Sequence, residues 1–264
     1  MDLPQQLKDR LDLTEVTYPS MGYSDAKVLL VKHGYQNKDI VIKYSHQEAI
    51  EKEAQILLWL KDKIRVPKVY FHFCEEDMYY LVMEMLPGEM GQNGFTYMSK
   101  EEMIVLYANE IKKWHQIPFT DFPSYNTLED KLNHVKNNIE NNLVKTQYFE
   151  REFKGMSGKE LYNLMMKHYP IKFDLVLCHG DVCMPNFMLE NKKVTGWIDV
   201  VGCGVNDRYL DIAIALRTLR FNCELFNDTF TQEDEELFLK TYGIKTLDID
   251  KVLFYICLDE LTNG

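Results

Sequence analysis

A switch from strand-like to helix-like patterning at Pro87-Gly88 constrains this chain more than any other feature. Before it, short runs rich in β-branched and aromatic residues read as strands: Ile40-Val41-Ile42-Lys43-Tyr44, Val69-Tyr70-Phe71-His72-Phe73 and Tyr79-Tyr80-Leu81-Val82-Met83. The last two flank Glu75-Glu76-Asp77 and predict a hairpin. Between the first and second lies one helix. Ile50, Ala54, Leu57 and Leu58 recur at helical spacing, Ser45 and Glu48 make an S-x-x-E capping box, and Arg65-Val66-Pro67 ends it. After Pro87-Gly88, helix starts are predicted at Ser99 with Glu102, Ser157 with Glu160, and Thr231 with Glu233-Asp234. Met103, Leu106, Tyr107 and Trp114 form one apolar face. Strands first and helices later predict an α+β chain in two lobes, residues 1–87 and 88–264, with a hinge near 84–88 and a ligand cleft between the lobes. Residues 126–170 read as a polar helical insertion covering a binding site.

Composition narrows the classes. A length of 264 residues suits one large domain or two small lobes. No run of about 18 apolar residues occurs, so no membrane span or membrane partner is expected. The start, Met1-Asp2-Leu3-Pro4, lacks the basic and apolar regions of a secretory signal, and six scattered cysteines then read as free thiols of a cytoplasmic protein. A net charge of −11 argues against a nucleic-acid partner and suits a small cationic substrate, although solubility alone explains it as well. No obligate protein partner is evident.

The chemistry concentrates in His179-Gly180-Asp181-Val182-Cys183-Met184-Pro185-Asn186 and in Gly196-Trp197-Ile198-Asp199. Asp181 and Asn186 stand five positions apart, as in the H-R-D-x-x-x-x-N loop of protein kinases, and Asp199 follows a predicted hairpin built around residues 190–193. Phosphoryl transfer needs these types: an amide oxygen and a carboxylate for magnesium, and a separate carboxylate to orient the attacking hydroxyl and take its proton. Lys43 alternates with Ile42, sharing a face with Val41, as the phosphate-binding Lys of a V-A-I-K strand does. Glu53 falls on the apolar stripe of the following helix, where a carboxylate needs a cationic partner, and Lys43 is the candidate. The turn Met21-Gly22-Tyr23-Ser24-Asp25 could cover a phosphate through backbone N–H groups and the Ser24 hydroxyl, and marks an ordinary turn equally well. Asp211 reads as a brace for the His179 loop, and His179 as a packed, hydrogen-bonded residue. Cys178, His179, Cys183 and Cys203 lack the C-x-x-C pairs of a zinc site and read as packed side chains.

These residues, with Val66-Pro67-Lys68-Val69, Asp207, Arg217 and the ending Leu258-Asp259-Glu260-Leu261, resemble the aminoglycoside phosphotransferases over nearly the whole length, most of all the 3'-phosphotransferase group. The resemblance implies a protein-kinase-like fold that uses ATP, with GTP as a second candidate, and Mg2+. It implies Asp181 as catalytic base and Asn186 and Asp199 as metal ligands. Lys43 would bind the phosphates and pair with Glu53, and Ser24 would add a hydroxyl. Val41, Met83, Glu84, Leu86 and Ile198 would surround adenine, partly through the hinge backbone. Asp181, Arg217, Asp259, Glu260 and the Gly264 carboxylate would face a cationic aminoglycoside, phosphorylated at a hydroxyl (the 3' one), with antibiotic resistance as the consequence. A kinase of the same fold acting on a macrolide, a choline-like amine or another metabolite is the alternative. A nucleotide-binding module without turnover is the third reading.

Overall fold

The computed structural model describes residues 3–19, 26–123 and 125–262, and the chain divides into two compact units. One comprises residues 1–89 and 187–201, the other residues 90–186 and 202–264. The division expected at 87/88 therefore lacks one return: the hairpin after Asn186 rejoins the first unit.

The first unit is built on a five-stranded antiparallel sheet in the order β1-β2-β3-β5-β4, from β1 (Val16–Thr17), β2 (Lys27–Tyr35), β3 (Lys38–Ser45), β4 (Val69–Glu75) and β5 (Met78–Glu84). Two of its turns place both central residues in the left-handed region, Gln36-Asn37 and Glu76-Asp77, which matches the twist of the strands they join. Alternation along β3 sends Ile40, Ile42 and Tyr44 to one face. There they pack with Leu29, Val31, Tyr80 and Val82, and with Leu7 of a single helical turn, α1 (Gln5–Lys8). Periodicity does not announce a helix so short, and the expectation of one helix beside the sheet is corrected accordingly.

Helix α2 (Ala49–Leu60) buries Ile50, Glu53, Ala54, Ile56, Leu57 and Leu60. The Ser45 capping box does not form. Ser45 ends β3 and its hydroxyl accepts from Gln47 N at 3.2 Å, while Glu48 occupies the N-cap without a side-chain bond to the helix backbone. The helix also stops at Leu60 rather than at Arg65. The Leu60 carbonyl takes both Lys63 N and Ile64 N, which turns the chain and leaves the Arg65 carbonyl to accept from Trp197 N at 2.9 Å. That bond ties in the hairpin of β8 (Phe187–Glu190) and β9 (Lys193–Trp197), which the sequence had placed correctly. A two-residue strand, β6 (Glu89–Met90), lies at the junction of the units.

The second unit is helical around one short ladder. Strand β7 (Leu175–Cys178) pairs antiparallel with β10 (Gly204–Asp207), Cys178 opposite Gly204. Helices α3 (Lys100–His115), α6 (Tyr209–Leu225), α7 (Gln232–Tyr242) and α8 (Ile249–Thr262) supply the bulk of the core. The predicted capping boxes form at Ser99/Glu102, Ser157/Glu160 and Thr231/Asp234. A fourth, Thr127/Asp130, like Thr231/Asp234 carries Asp where the pattern favours Glu or Gln. The polar stretch 126–170 contains α4 (Leu128–Glu140) and α5 (Gly158–Lys167), separated by a non-helical connection with two short 3-10 turns. Both helices buttress α8, and Asn138 donates to the Leu261 carbonyl at 3.1 Å. Among the described residues no helix is long and apolar enough to cross a membrane.

Candidate active site

The first unit gathers Lys43, Glu53 and Asp199. Because Ile42 points into the α1 side of the sheet, Lys43 points to the α2 side, where Glu53 sits one turn into the helix. Lys43 Nζ is 2.7 Å from Glu53 Oε2 and 2.9 Å from Asp199 Oδ1. Glu53 is 1% exposed and Lys43 8%. Burial alone would lower the Lys43 pKa, but the charges of Glu53 and then Asp199 outweigh it and hold the ammonium well above its ordinary range. Asp199 follows β9 with φ of 56°, a left-handed conformation that Asp tolerates better than most side chains.

Beside this triad, Val41 and Met83 are direct partners across β3 and β5. Leu86 is buried, and Ile198 is half-buried immediately before Asp199. The Glu84 side chain does not point to this group. It forms a two-pronged pair with Arg65 at 2.6 and 2.8 Å and accepts from Lys68 N at 3.2 Å, so only its backbone is left for a ligand. Hydrogen bonding to Arg65 is the main reason its pKa is lowered. Ser24 and Gly264 lie outside the described residues.

In the second unit, β7 delivers the loop that carries Asp181. Gly180 has φ of +87°, and a Cβ there would lie 2.1 Å from the Gly202 carbonyl oxygen, so only glycine fits. Asp181 Oδ1 accepts from Cys183 N at 3.1 Å and Oδ2 from Asn186 Nδ2 at 2.8 Å. A 3-10 turn, Met184–Asn186, brings Asn186 back to Asp181. With its Nδ2 donating to Asp181, the Asn186 side chain keeps an oxygen for a hard cation. The expected brace is present: Asp211 Oδ2 accepts from His179 N at 2.8 Å and Oδ1 from Gly180 N at 2.9 Å. Asp211 lies in the first turn of α6, two residues after the start, rather than before the helix. Burial would raise its pKa, but the bond from His115 and, after it, the Gly180 N–H hold the carboxyl below its ordinary range. His179 is fully buried with its ring edge-on to Trp114, at 5.0 Å between centroids. Tyr107 donates to the Val182 carbonyl.

Arg217, Asp259 and Glu260 also converge, but on one another. Arg217 Nη2 is 2.5 Å from Asp259 Oδ2, its Nε is 3.3 Å from Glu150 Oε1, and its Nη1 is 3.6 Å from Glu260 Oε1. Glu260 is the least well paired. Burial raises its pKa to about 7, Arg217 opposes the rise, and Glu150 and Asp259 add to it.

Sequence reasoning missed His115, Tyr242 and Glu150, and read Tyr107 only as part of an apolar face. His115 ends the apolar face of α3 and carried no separate signal, and Glu150 lies between two 3-10 turns with no periodicity. His115, Cys178 and Asp211 offer ligand atoms within 4.8 Å of one another. They do not make a metal site. Both Asp211 oxygens are taken by hydrogen bonds, and burial, followed by the Asp211 charge, pushes the Cys178 thiol well up, against the thiolate a metal needs.

The family described as "Phosphotransferase enzyme family" matches residues 15–250. The chain is 34% identical over 260 residues to an aminoglycoside 3'-phosphotransferase of Niallia circulans, covering 97% of this chain and 96% of that protein. It is 30% identical over 271 residues to one of Enterococcus faecalis, covering 99% and 98%. Among solved structures, an aminoglycoside-3'-phosphotransferase of type VIII superposes with a TM-score of 0.83 at 26% identity, covering 97% of both chains.

Proposed function

Since the chain belongs to the phosphotransferase enzyme family, we propose that it moves the γ-phosphate of ATP to a hydroxyl of an aminoglycoside, at the 3' position. The observation that carries this reading is Asp181, held by Cys183 N and Asn186 on a loop clamped by Asp211. A carboxylate fixed in this way orients a sugar hydroxyl and takes its proton as the oxygen attacks phosphorus. The bond between the γ-phosphorus and the bridging oxygen breaks, and ADP leaves with that electron pair.

The Asn186 amide oxygen and the Asp199 carboxylate are each hard donors of the kind magnesium takes, and by this reading these two would hold it. Bound there, it would neutralise charge on the phosphate oxygens. Lys43, fixed by Glu53, would meet the α- and β-phosphates. Val41, Met83, Leu86 and Ile198 supply apolar surface for a purine, and the backbone at Glu84 supplies its polar edge. GTP fits the same description. Asp259 and Glu260 would receive substrate ammonium groups through charge-assisted hydrogen bonds, with Arg217 holding the carboxylates in place. A phosphate on the drug would cancel part of its cationic character, and resistance follows from that. By this reading the first unit handles nucleotide and the second handles acceptor and proton transfer, in the cytoplasm where ATP is available.

The test is incubation with ATP and a panel of 3'-hydroxyl aminoglycosides, kanamycin and neomycin included, with product mapped by mass spectrometry and NMR. Asp181→Ala is expected to lose about 100- to 10,000-fold in turnover while still binding nucleotide. No phosphorylated product across the panel would overturn the substrate assignment. ADP release with a macrolide or choline-like amine would reassign the acceptor.

A further inference from the structure

Asp211 clamps the Asp181 loop, and its own position needs explaining, because a fully buried anion is held only by what bonds to it. His115 Nε2 lies 3.0 Å from Asp211 Oδ2, and His115 Nδ1 lies 2.5 Å from the Tyr242 hydroxyl. The His115 side chain is 2% exposed. The same hydroxyl accepts from Arg208 Nη1 at 3.0 Å, and Arg208 Nε is 2.7 Å from Asp174 Oδ2.

Counting donors and acceptors limits where the protons can be. Arginine only donates, and an ionised carboxylate only accepts. Asp211 already accepts two backbone N–H groups, so toward Asp211 His115 presents Nε2–H. In a neutral imidazole Nδ1 is then an acceptor, and the Tyr242 O–H is the donor that faces it, its oxygen having accepted from Arg208. The opposite tautomer would set an imidazole lone pair against the Asp211 carboxylate. Three helices meet here: His115 is the last residue of α3, Tyr242 the last of α7, and Asp211 lies in the first turn of α6.

We propose that His115 and Tyr242 are positioning residues for the phosphotransfer loop: a one-way chain of hydrogen bonds from Arg208 through Tyr242 and His115 to Asp211 locks His115 as the Nε2–H tautomer and thereby fixes the His179-Gly180 backbone that sets Asp181. The catalytic consequence rests on the function proposed above; the hydrogen-bond chain does not. Neither side chain touches substrate, so loosening the chain lowers turnover and leaves binding of nucleotide and acceptor in place.

Three measurements on the whole protein test this. The 15N spectrum of the wild-type imidazole at pH 7.5 is expected to show a pyrrole-type Nε2 and a pyridine-type Nδ1 for His115. Tyr242→Phe, which removes one oxygen, is expected to speed amide exchange at Gly180 by at least about 10-fold. It is also expected to lower kcat about 10-fold, with both KM values within about two-fold of wild type. His115→Phe is expected to lose more, about 100-fold in kcat, and His115→Gln, which keeps an N–H for Asp211, to recover part of that loss. If His115→Phe fails to fold, Tyr242→Phe decides the matter. An Nδ1–H tautomer or an imidazolium in the wild type would overturn the proposal, as would unchanged Gly180 exchange in Tyr242→Phe. If the wild type phosphorylates no aminoglycoside, the proposed function fails while the nitrogen spectrum and amide exchange still test the chain.

Discussion

Glu260 offers a perturbation whose size follows from the structure. It sits on α8 at 9% exposure, next to Asp259 and Glu150, and the cation beside it, Arg217, gives its closest contact to Asp259. Its pKa rises from 4.5 to about 7 on folding, chiefly through burial. A carboxyl whose folded pKa is raised binds its proton more tightly in the native state. The stability this contributes is fully present below pH 4.5 and is lost as pH climbs from there through 7. At about 1.4 kcal/mol per unit, ionising Glu260 in the folded protein costs about 3 kcal/mol once the pH is well above 7. Glu260→Gln keeps the shape and deletes the charge. It is therefore expected to match wild type at pH 4.5 and to exceed it by about 3 kcal/mol at pH 8.5, a rise of about 6 °C in melting temperature for a chain of this size.

The assay is paired urea unfolding of wild type and Glu260→Gln from pH 4.5 to 8.5, in which groups common to both proteins cancel. A difference that stays flat with pH would refute the reasoning, because it would place Glu260 in solvent. An ammonium group of an aminoglycoside would take the place of the lost proton. Kanamycin at pH 8.5 is accordingly expected to raise the melting temperature of wild type more than that of Glu260→Gln.

Two further outcomes follow from the same physics. Lys43→Met leaves the Glu53 carboxylate buried without its ammonium and is expected to cost about 3–5 kcal/mol in urea unfolding, most of it regained in Lys43→Met/Glu53→Met; a double variant as unstable as the single one would refute the pairing. Gly180→Ala meets both a left-handed backbone and the Gly202 carbonyl oxygen, and is expected to cost more than about 2 kcal/mol along with turnover. Gly155→Ala, at φ of +88° with nothing within 4 Å, is expected to cost only about 1 kcal/mol.

The parts legible in the sequence are those with local rules. Alternation along residues 40–44 separates Ile42 from Lys43, and helical spacing puts Glu53 on a buried stripe, so the Lys43–Glu53 pair could be anticipated before any fold was known. Capping boxes at Ser99, Ser157 and Thr231 obey a rule four residues long. Ser45 obeys the same pattern and fails it, because a strand ending at Ser45 holds the residue in the sheet and the hydroxyl turns to Gln47 instead. Asp211 as a brace was readable because it opens an apolar helix. Its partner His115 was not, since 96 positions separate them and only the packing of α3 against the start of α6 joins them.

The acidic pair Asp259-Glu260 shows why residue type alone misjudges a candidate binding surface. Counted from sequence, both acids are available to a cation. Folded, Asp259 is already neutralised by Arg217, which Glu150 holds from the other side, and Glu260 is partly protonated near neutral pH because burial raises its pKa. Three carboxylates and one guanidinium could total −2, yet near pH 7 the group lies between −2 and −1. A polycation approaching it would meet charge already committed, so its grip has to come from taking the place of a proton on Glu260 and from sharing Asp259 with Arg217. Removing Arg217 would not simply enlarge an anionic pocket. It would leave Asp259 and Glu150 repelling each other in a half-buried site, and some of the attraction open to a cation would be lost to rising carboxyl pKa values.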